Sequence, residues 1–239
     1  MNNFEIWHGN HNRFILFFNI KEFDVNPPFQ GRVAHRFFNK KTLSKSNIIK
    51  LCKKHNAEGL SFLELKSNKK LIMKFFNPDG SRDNCGNALR VCVFATHTKG
   101  LVENNGTIYS FGRSFRYNII GEEVKVEFSK VWKINNCWNI GGVIHKVIIV
   151  DSLENFKTKA SSLRKKHRAN ITFVKKINQG IFAQTFETGV EDFTAACGTG
   201  SIAAALETGE SKIFMPGGLL KVEKTNSGIS LTGRIERLS

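Results

Sequence analysis

Acidic residues are scarce in this chain of 239 residues: 20 Asp and Glu stand against 36 Lys and Arg, for a formal charge of +16. No apolar run approaches the roughly 18 residues that a membrane helix needs, and clusters such as Phe14–Phe18 have only strand length. The first residues lack a basic stretch followed by an apolar core, so the sequence predicts no export signal and a cytoplasmic protein. Cys-x-x-Cys spacing is also missing, which argues against a structural zinc site and leaves no metal expected. Five cysteines, an odd number, without an export signal argue against a disulfide framework. Disorder is excluded as the main state, because 41% hydrophobic and 23% charged residues are ordinary globular values.

The charge excess taken alone points to nucleic acid or an acidic surface. Its distribution argues otherwise. The basic residues are scattered in pairs such as Lys40-Lys41, Lys53-Lys54, Lys69-Lys70 and Lys175-Lys176, and the densest run is Arg164-Lys165-Lys166-His167-Arg168. A solvated surface accounts for this pattern better than a nucleic-acid groove does. The length allows one large domain or two small ones.

Pattern and punctuation predict an α+β chain. Residues 4–20 read as strand around a polar turn at 8–12. Residues 44–55 read as a helix with a Ser N-cap, 59–65 and 70–76 as strands, and 77–80 as a turn. An apolar helix over 88–98 follows Cys85-Gly86-Asn87. Strands are expected at 107–111, 116–120, 124–128 and 144–150, a helix at 152–166, and strands at 171–174 and 180–186. A second small-residue helix over 201–206 follows Cys197-Gly198-Thr199-Gly200, and short strands are expected at 219–223, 228–231 and 234–238. The two cysteine-led helices start 112 positions apart, close to half the chain, so the sequence reads as a weak internal duplication. Two similar halves facing each other are expected.

A cysteine opening a helix sits where the first N–H groups have no internal partner and the helix dipole is positive. Such an end binds a carboxylate and favours a thiolate. Two of these ends facing one another would hold one carboxylate between two thiols. That arrangement suits inversion of an amino-acid α-carbon, where one group removes a proton from one face and another delivers a proton to the opposite face. The helix ends would stabilise the charge that develops on the carboxylate.

The residues from Asn77 to Arg90, with Cys85-Gly86-Asn87 at their centre, resemble the first cysteine motif of the diaminopimelate epimerases. Ala196–Ala205 resembles the second, Met215–Glu223 the tail strand, and His8–Phe14 the opening segment. His55–Leu60 is similar, in degraded form, to the next loop of that family. The resemblance spans nearly the whole chain in order. It implies a pyridoxal-phosphate-independent racemase or epimerase with no cofactor and two mirrored α+β domains. Each domain would be a mixed sheet or small barrel around a central helix, with the site in the cleft between them. The expected boundaries are 1–113, completed by a last strand at about 228–239, and 114–227. Cys85 and Cys197 would be the acid/base pair. The backbone at Gly86, Asn87, Gly198 and Thr199 would hold the α-carboxylate. Asn12, Asn77, Asn170 and Glu187 would lie near the substrate, and His145 would support the thiols. Cys52, Cys92 and Cys137 match no motif position and read as packing.

The departures from the family pattern concern the distal end of the substrate. Thr188 stands where the family has the arginine that grips the distal carboxylate, and a hydroxyl does not replace a bidentate guanidinium. Val143 stands where it has an asparagine. Diaminopimelate would therefore need a substitute cation. The expectation is the same inversion performed on a single-carboxylate amino acid such as histidine. True diaminopimelate epimerase, serving lysine and peptidoglycan synthesis, is the alternative; a basic nucleic-acid-binding protein on a decayed scaffold is the distant third. The expected partners are a small amino acid and, since the family often dimerises, a second copy of the chain. No membrane partner is expected.

Overall fold

The computed structural model shows each of the four described helices as a crossover between two parallel strands. It describes residues 4–19, 44–154 and 156–237. The ends of two expected strands, at 20 and 238, and the pair Lys40-Lys41 lie outside them. The first half contains β1 (Glu5–Gly9), β2 (Asn12–Asn19), α1 (Lys45–His55), β3 (Gly59–Ser67), β4 (Lys70–Phe76), α2 (Gly86–His97), β5 (Asn105–Ser110), β6 (Arg113–Ile120) and β7 (Glu123–Phe128). Then come β8 (Val131–Ile134), β9 (Cys137–Ile140), β10 (Val143–Ile149), α3 (Lys157–His167), β11 (Asn170–Ile177), β12 (Gly180–Glu187) and β13 (Asp192–Phe193). The chain continues through α4 (Gly198–Thr208), β14 (Lys212–Met215), β15 (Gly218–Thr225) and β16 (Gly228–Arg237).

The duplication is visible in the pairing. β2 and β3 are parallel across α1, β3 and β4 antiparallel, and β4 and β5 parallel across α2. The second half repeats this order: β10 and β11 are parallel across α3, β11 and β12 antiparallel, and β12 and β14 parallel across α4. Parallel neighbours need such crossovers, because a tight hairpin cannot join them. Strands β1 to β7 with β16 close an eight-stranded ring, since β16 returns to pair with β1. The other half is the open order β16-β15-β14-β12-β11-β10-β9-β8.

The central helices α2 and α4 are apolar and small-residued, and most of each is buried. The strands of each half surround one of them. The outer helices α1 and α3 are basic and amphipathic. Each covers a satellite core: Ile48 and Cys52 pack on Ile15, Phe17 and Leu60, and Ala160 packs on Ile171, Phe173 and Phe186. The densest basic run falls in the last turn of α3. There cations are favoured by the exposed carbonyls, and Arg164 pairs with Glu191 at 2.9 Å. A structural role thus accounts for this run.

Three expectations need correction. The expected helix over 152–166 begins only at Lys157. Four short strands, β8, β9, β13 and β14, were not legible, because two to four residues are too few to show a period. The two strands expected at 228–231 and 234–238 are one strand, β16. Its first part lies between β7 and β15, and its last part pairs with β1. Gly233 sits at this change of neighbour, where a Cβ would collide with the guanidinium of Arg90. Glycine at this position lets the strand pass a buried side chain.

Cys52, Cys92 and Cys137 are free and buried, as packing residues should be. Among the described residues no helix is long and apolar enough to cross a membrane, and no cluster of His, Cys, Asp and Glu is arranged to hold a metal ion.

Candidate active site between two cysteine-capped helices

Cys85 is the N-cap of α2 and Cys197 the N-cap of α4. An N-cap residue is extended, and its side chain accepts a hydrogen bond from an N–H of the first turn. Both cysteines do this with sulfur. Ala88 N–H donates to Cys85 Sγ at 3.5 Å and Gly200 N–H donates to Cys197 Sγ at 3.4 Å. Their backbones match closely, with φ −123° and ψ 114° at Cys85 and φ −123° and ψ 111° at Cys197. The helix ends abut: a Cβ on Gly86 would lie 3.3 Å from the Cα of Gly198, and a Cβ on Gly198 would lie 3.1 Å from the carbonyl carbon of Gly86. Only glycine permits so close an approach on both sides.

One cavity opens at this junction. Cys85, Cys197, Asn12, Asn77, Gly86, Asn87, Asn170, Glu187, Gly198 and Thr199 all line it. So do Thr188 and Val143, the two positions where the family pattern fails. His145 does not. It is fully buried behind the wall, with Nε2 2.8 Å from Thr199 Oγ1, which in turn lies 3.6 Å from Cys197 Sγ. Its Nδ1 meets Thr172 Oγ1 at 3.3 Å. The expected support of the thiols therefore runs through a threonine hydroxyl to one thiol only.

The asparagines are tied into the framework. Asn12 and Asn87, both from the first half, donate to the carbonyl of Ala196, and Asn12 Oδ1 accepts from Ala196 N–H at 3.3 Å. They thus clamp the residue before Cys197. Asn77 donates to Ser81 Oγ at 3.0 Å, and Asn170 Oδ1 accepts from Thr188 N–H at 2.8 Å. Arg90, fully buried with no carboxylate partner, donates to Asn87 Oδ1 and to Asn10 Oδ1 at 3.0 Å. Burial lowers its pKa to about 10. Arg90 stands in the first cysteine motif but was not singled out from the sequence, where an arginine inside an apolar helix gives no sign of what it will face.

The electrostatics differ from the expectation of a favoured thiolate. Burial, reinforced by the charge of Glu187, pushes Cys85 up to about 12 despite its helix N–H. Burial first and Glu187 second push Cys197 well above its ordinary value. Desolvation outweighs the helix end here, so both groups rest as thiols. Burial raises Glu187 to about 7, partly opposed by hydrogen bonds from the Thr194 hydroxyl and the Cys197 thiol. Burial alone lowers His145 to about 3, which makes it neutral in the working range. The lining also includes Glu58 and Asp83, which sequence reading did not mark, and among the described residues it contains no lysine, arginine or histidine. The substitute cation that a distal carboxylate would need is therefore not among the described residues of the wall.

No model of a protein family matches the chain. Single relatives do. A diaminopimelate epimerase of Nitratiruptor sp. is 27% identical over 230 residues, which is 86% of this chain and 91% of that protein. One from Flavobacterium psychrophilum is 30% identical over 177 residues, 66% of this chain and 69% of that protein. The chain belongs to the diaminopimelate epimerase family. Other members match over less of their length: the Campylobacter jejuni enzyme of serotype O:2 is 31% identical over 139 residues, 56% of that protein. Solved structures agree on the fold. A phenazine biosynthesis protein of the PhzF family from Enterococcus faecalis has a TM-score of 0.68 at 10% identity, covering 99% of this chain and 96% of its own. A probable proline racemase from Agrobacterium radiobacter K84 has a TM-score of 0.63 at 12% identity, covering 99% and 91%. The family member described here is thus an isomerase of the epimerase and racemase class.

Proposed function

We propose that the chain inverts the α-carbon of a single-carboxylate amino acid, of which histidine is one example, using Cys85 and Cys197 as the two bases. The observation that carries this reading is the pair of matching cysteine N-caps on two abutting helices in one cavity. The substrate's α-carboxylate lies against the N–H groups at Gly86-Asn87 and Gly198-Thr199, which stabilise the charge that builds as the α-proton leaves. In one direction Glu187 first takes the proton of Cys197. The thiolate then removes the α-proton from one face, the Cys85 thiol delivers its proton to the other, and the proton held by Glu187 returns to the Cys85 thiolate, which restores two thiols and an ionised Glu187. In the reverse direction the two sulfurs exchange roles. Thr199, held by neutral His145, hydrogen-bonds the Cys197 sulfur and orients it.

The names of the relatives favour a second reading, diaminopimelate as substrate. Thr188 and Val143 in the cavity wall, and the absence of a lining cation among the described residues, count against it. Exchange of the α-hydrogen for deuterium in heavy water, measured over a panel of amino acids, tests the proposal. Incorporation with at least one amino acid is expected, and none with any would sink it.

A further inference from the structure

We propose that Glu58, Asp83 and Asn84 form a side-chain subsite for a substrate whose side chain ends in a cation or another N–H donor and carries no second carboxylate. The proposal rests on the racemase reading above and names the substrate class for the same cavity.

Three features of the wall point there. The first is charge. Glu58, Asp83 and Glu187 line the cavity together, and among the described residues no cationic side chain does. Among the described residues neither Glu58 nor Asp83 forms an ion pair. The charges of Arg13 and Arg113 reach Glu58 and Asp83 only weakly, and burial raises both carboxyls all the same. The carboxylates also act on one another across the cavity, since Glu58 and Asp83 both raise Glu187. Uncompensated like charges in one pocket favour a cationic ligand.

The second is an acceptor without a donor. Asn84 is 5% exposed and lines the cavity. Its Nδ2 donates to the Gly141 carbonyl at 3.1 Å, which fixes its orientation, and its Oδ1 has no hydrogen-bond partner among the described residues. A buried acceptor left unpaired is costly, and a ligand N–H relieves that cost.

The third is the commitment of the donors. The side-chain amide N–H groups of Asn12 and Asn87 are used on Ala196, that of Asn77 on Ser81 and that of Asn84 on Gly141. With the helix ends taken by the α-carboxylate, the Asn170 amide and the Thr188 hydroxyl are left as lining donors, against three carboxyls and Asn84 Oδ1 as acceptors, so acceptors are in surplus.

The test is the kinetics of α-hydrogen exchange by the whole chain with arginine, lysine, ornithine and histidine, compared with alanine, glutamate and diaminopimelate. The expected result is kcat/KM for a basic amino acid at least about tenfold above that for glutamate and diaminopimelate, one unpaired buried charge being worth that much or more. Glu58→Gln and Asp83→Asn should each lower kcat/KM for the basic substrate by about tenfold, mainly through KM. Diaminopimelate or glutamate turned over as well as the basic amino acids would overturn the subsite and the restriction to one carboxylate, and leave the two-base inversion standing. No exchange with any amino acid would overturn both. Should one variant fail to fold, the other variant and the wild-type substrate order still decide.

Discussion

Gly86 and Gly198, the first residues of the two central helices, touch backbone to backbone. This contact brings Cys85 and Cys197 to one cavity and joins the two halves of the molecule at the place where the chemistry is proposed to occur.

Widening that contact should cost activity before it costs the fold. A Cβ on Gly198 would meet Leu231 at 2.8 Å as well as the backbone of Gly86, whereas on Gly86 the nearest atom is 3.3 Å away. Gly198→Ala is therefore expected to reduce α-hydrogen exchange by more than about tenfold, small displacements of reacting groups being costly, and Gly86→Ala to reduce it less. Equal, full activity in both variants would show that the approach of the helix ends is not needed.

Each sulfur is needed in a two-base reaction. Cys85→Ser and Cys197→Ser should each abolish racemisation followed by optical rotation, and undiminished activity in either would refute the mechanism. The two thiols share one cavity, so mild oxidant is expected to inactivate the enzyme and a thiol reductant to restore it. Activity indifferent to oxidant would speak against facing thiols.

The proton held by Glu187 sets an expected pH limb. Its carboxyl is raised to about 7 by burial, and it must be ionised to take the Cys197 proton. Activity should therefore rise with pH through about 7. Stability has the opposite sign: the folded state holds a proton that the unfolded chain loses near 4.5, so this group's contribution falls as pH rises from 4.5 to about 7 and is then level. Glu187→Gln should remove both trends, seen in a pH–rate profile and in urea midpoints. An unchanged profile would remove Glu187 from proton transfer.

His145 predicts an acid weakness. Burial lowers it from 6.5 to about 3, so the unfolded chain binds a proton that the folded state refuses between those values. Stability is lost progressively as pH falls below 6.5. Carboxylates held low, such as Glu127 and Asp192, add to acid lability, so the difference between wild type and His145→Gln isolates the histidine. The variant should be less stable at pH 7, having lost the hydrogen bond to Thr199, but should lose less on going to pH 5. Parallel losses would show that His145 titrates normally.

Much of this was legible beforehand. Cys85-Gly86-Asn87 and Cys197-Gly198-Thr199 each precede a run of small apolar residues, which marked two helices, and the resemblance to the family implied that they are central, as their burial shows. The basic faces of α1 and α3 likewise place them outside. The shortest strands were lost because their pairing depends on neighbours distant in sequence. The strand β16 was divided in two because its continuity rests on pairing with β7, β15 and β1, partners distant in sequence.

The sequence by itself determined the scarcity of acid, the repeat and the two helix starts, because these depend on composition and local spacing. Only the tertiary structure decided where the few acids go. Glu58 precedes β3, Asp83 precedes α2 and Glu187 ends β12, yet all three line one cavity with no lining cation among the described residues. Burial first and the charge of Glu187 second, with Asp83 adding at Cys85, hold both cysteines as thiols against the pull of their helices. A chain with a charge of +16 thus keeps an acidic site, because net charge is a sum over the surface and a pKa responds to the groups within a few ångströms.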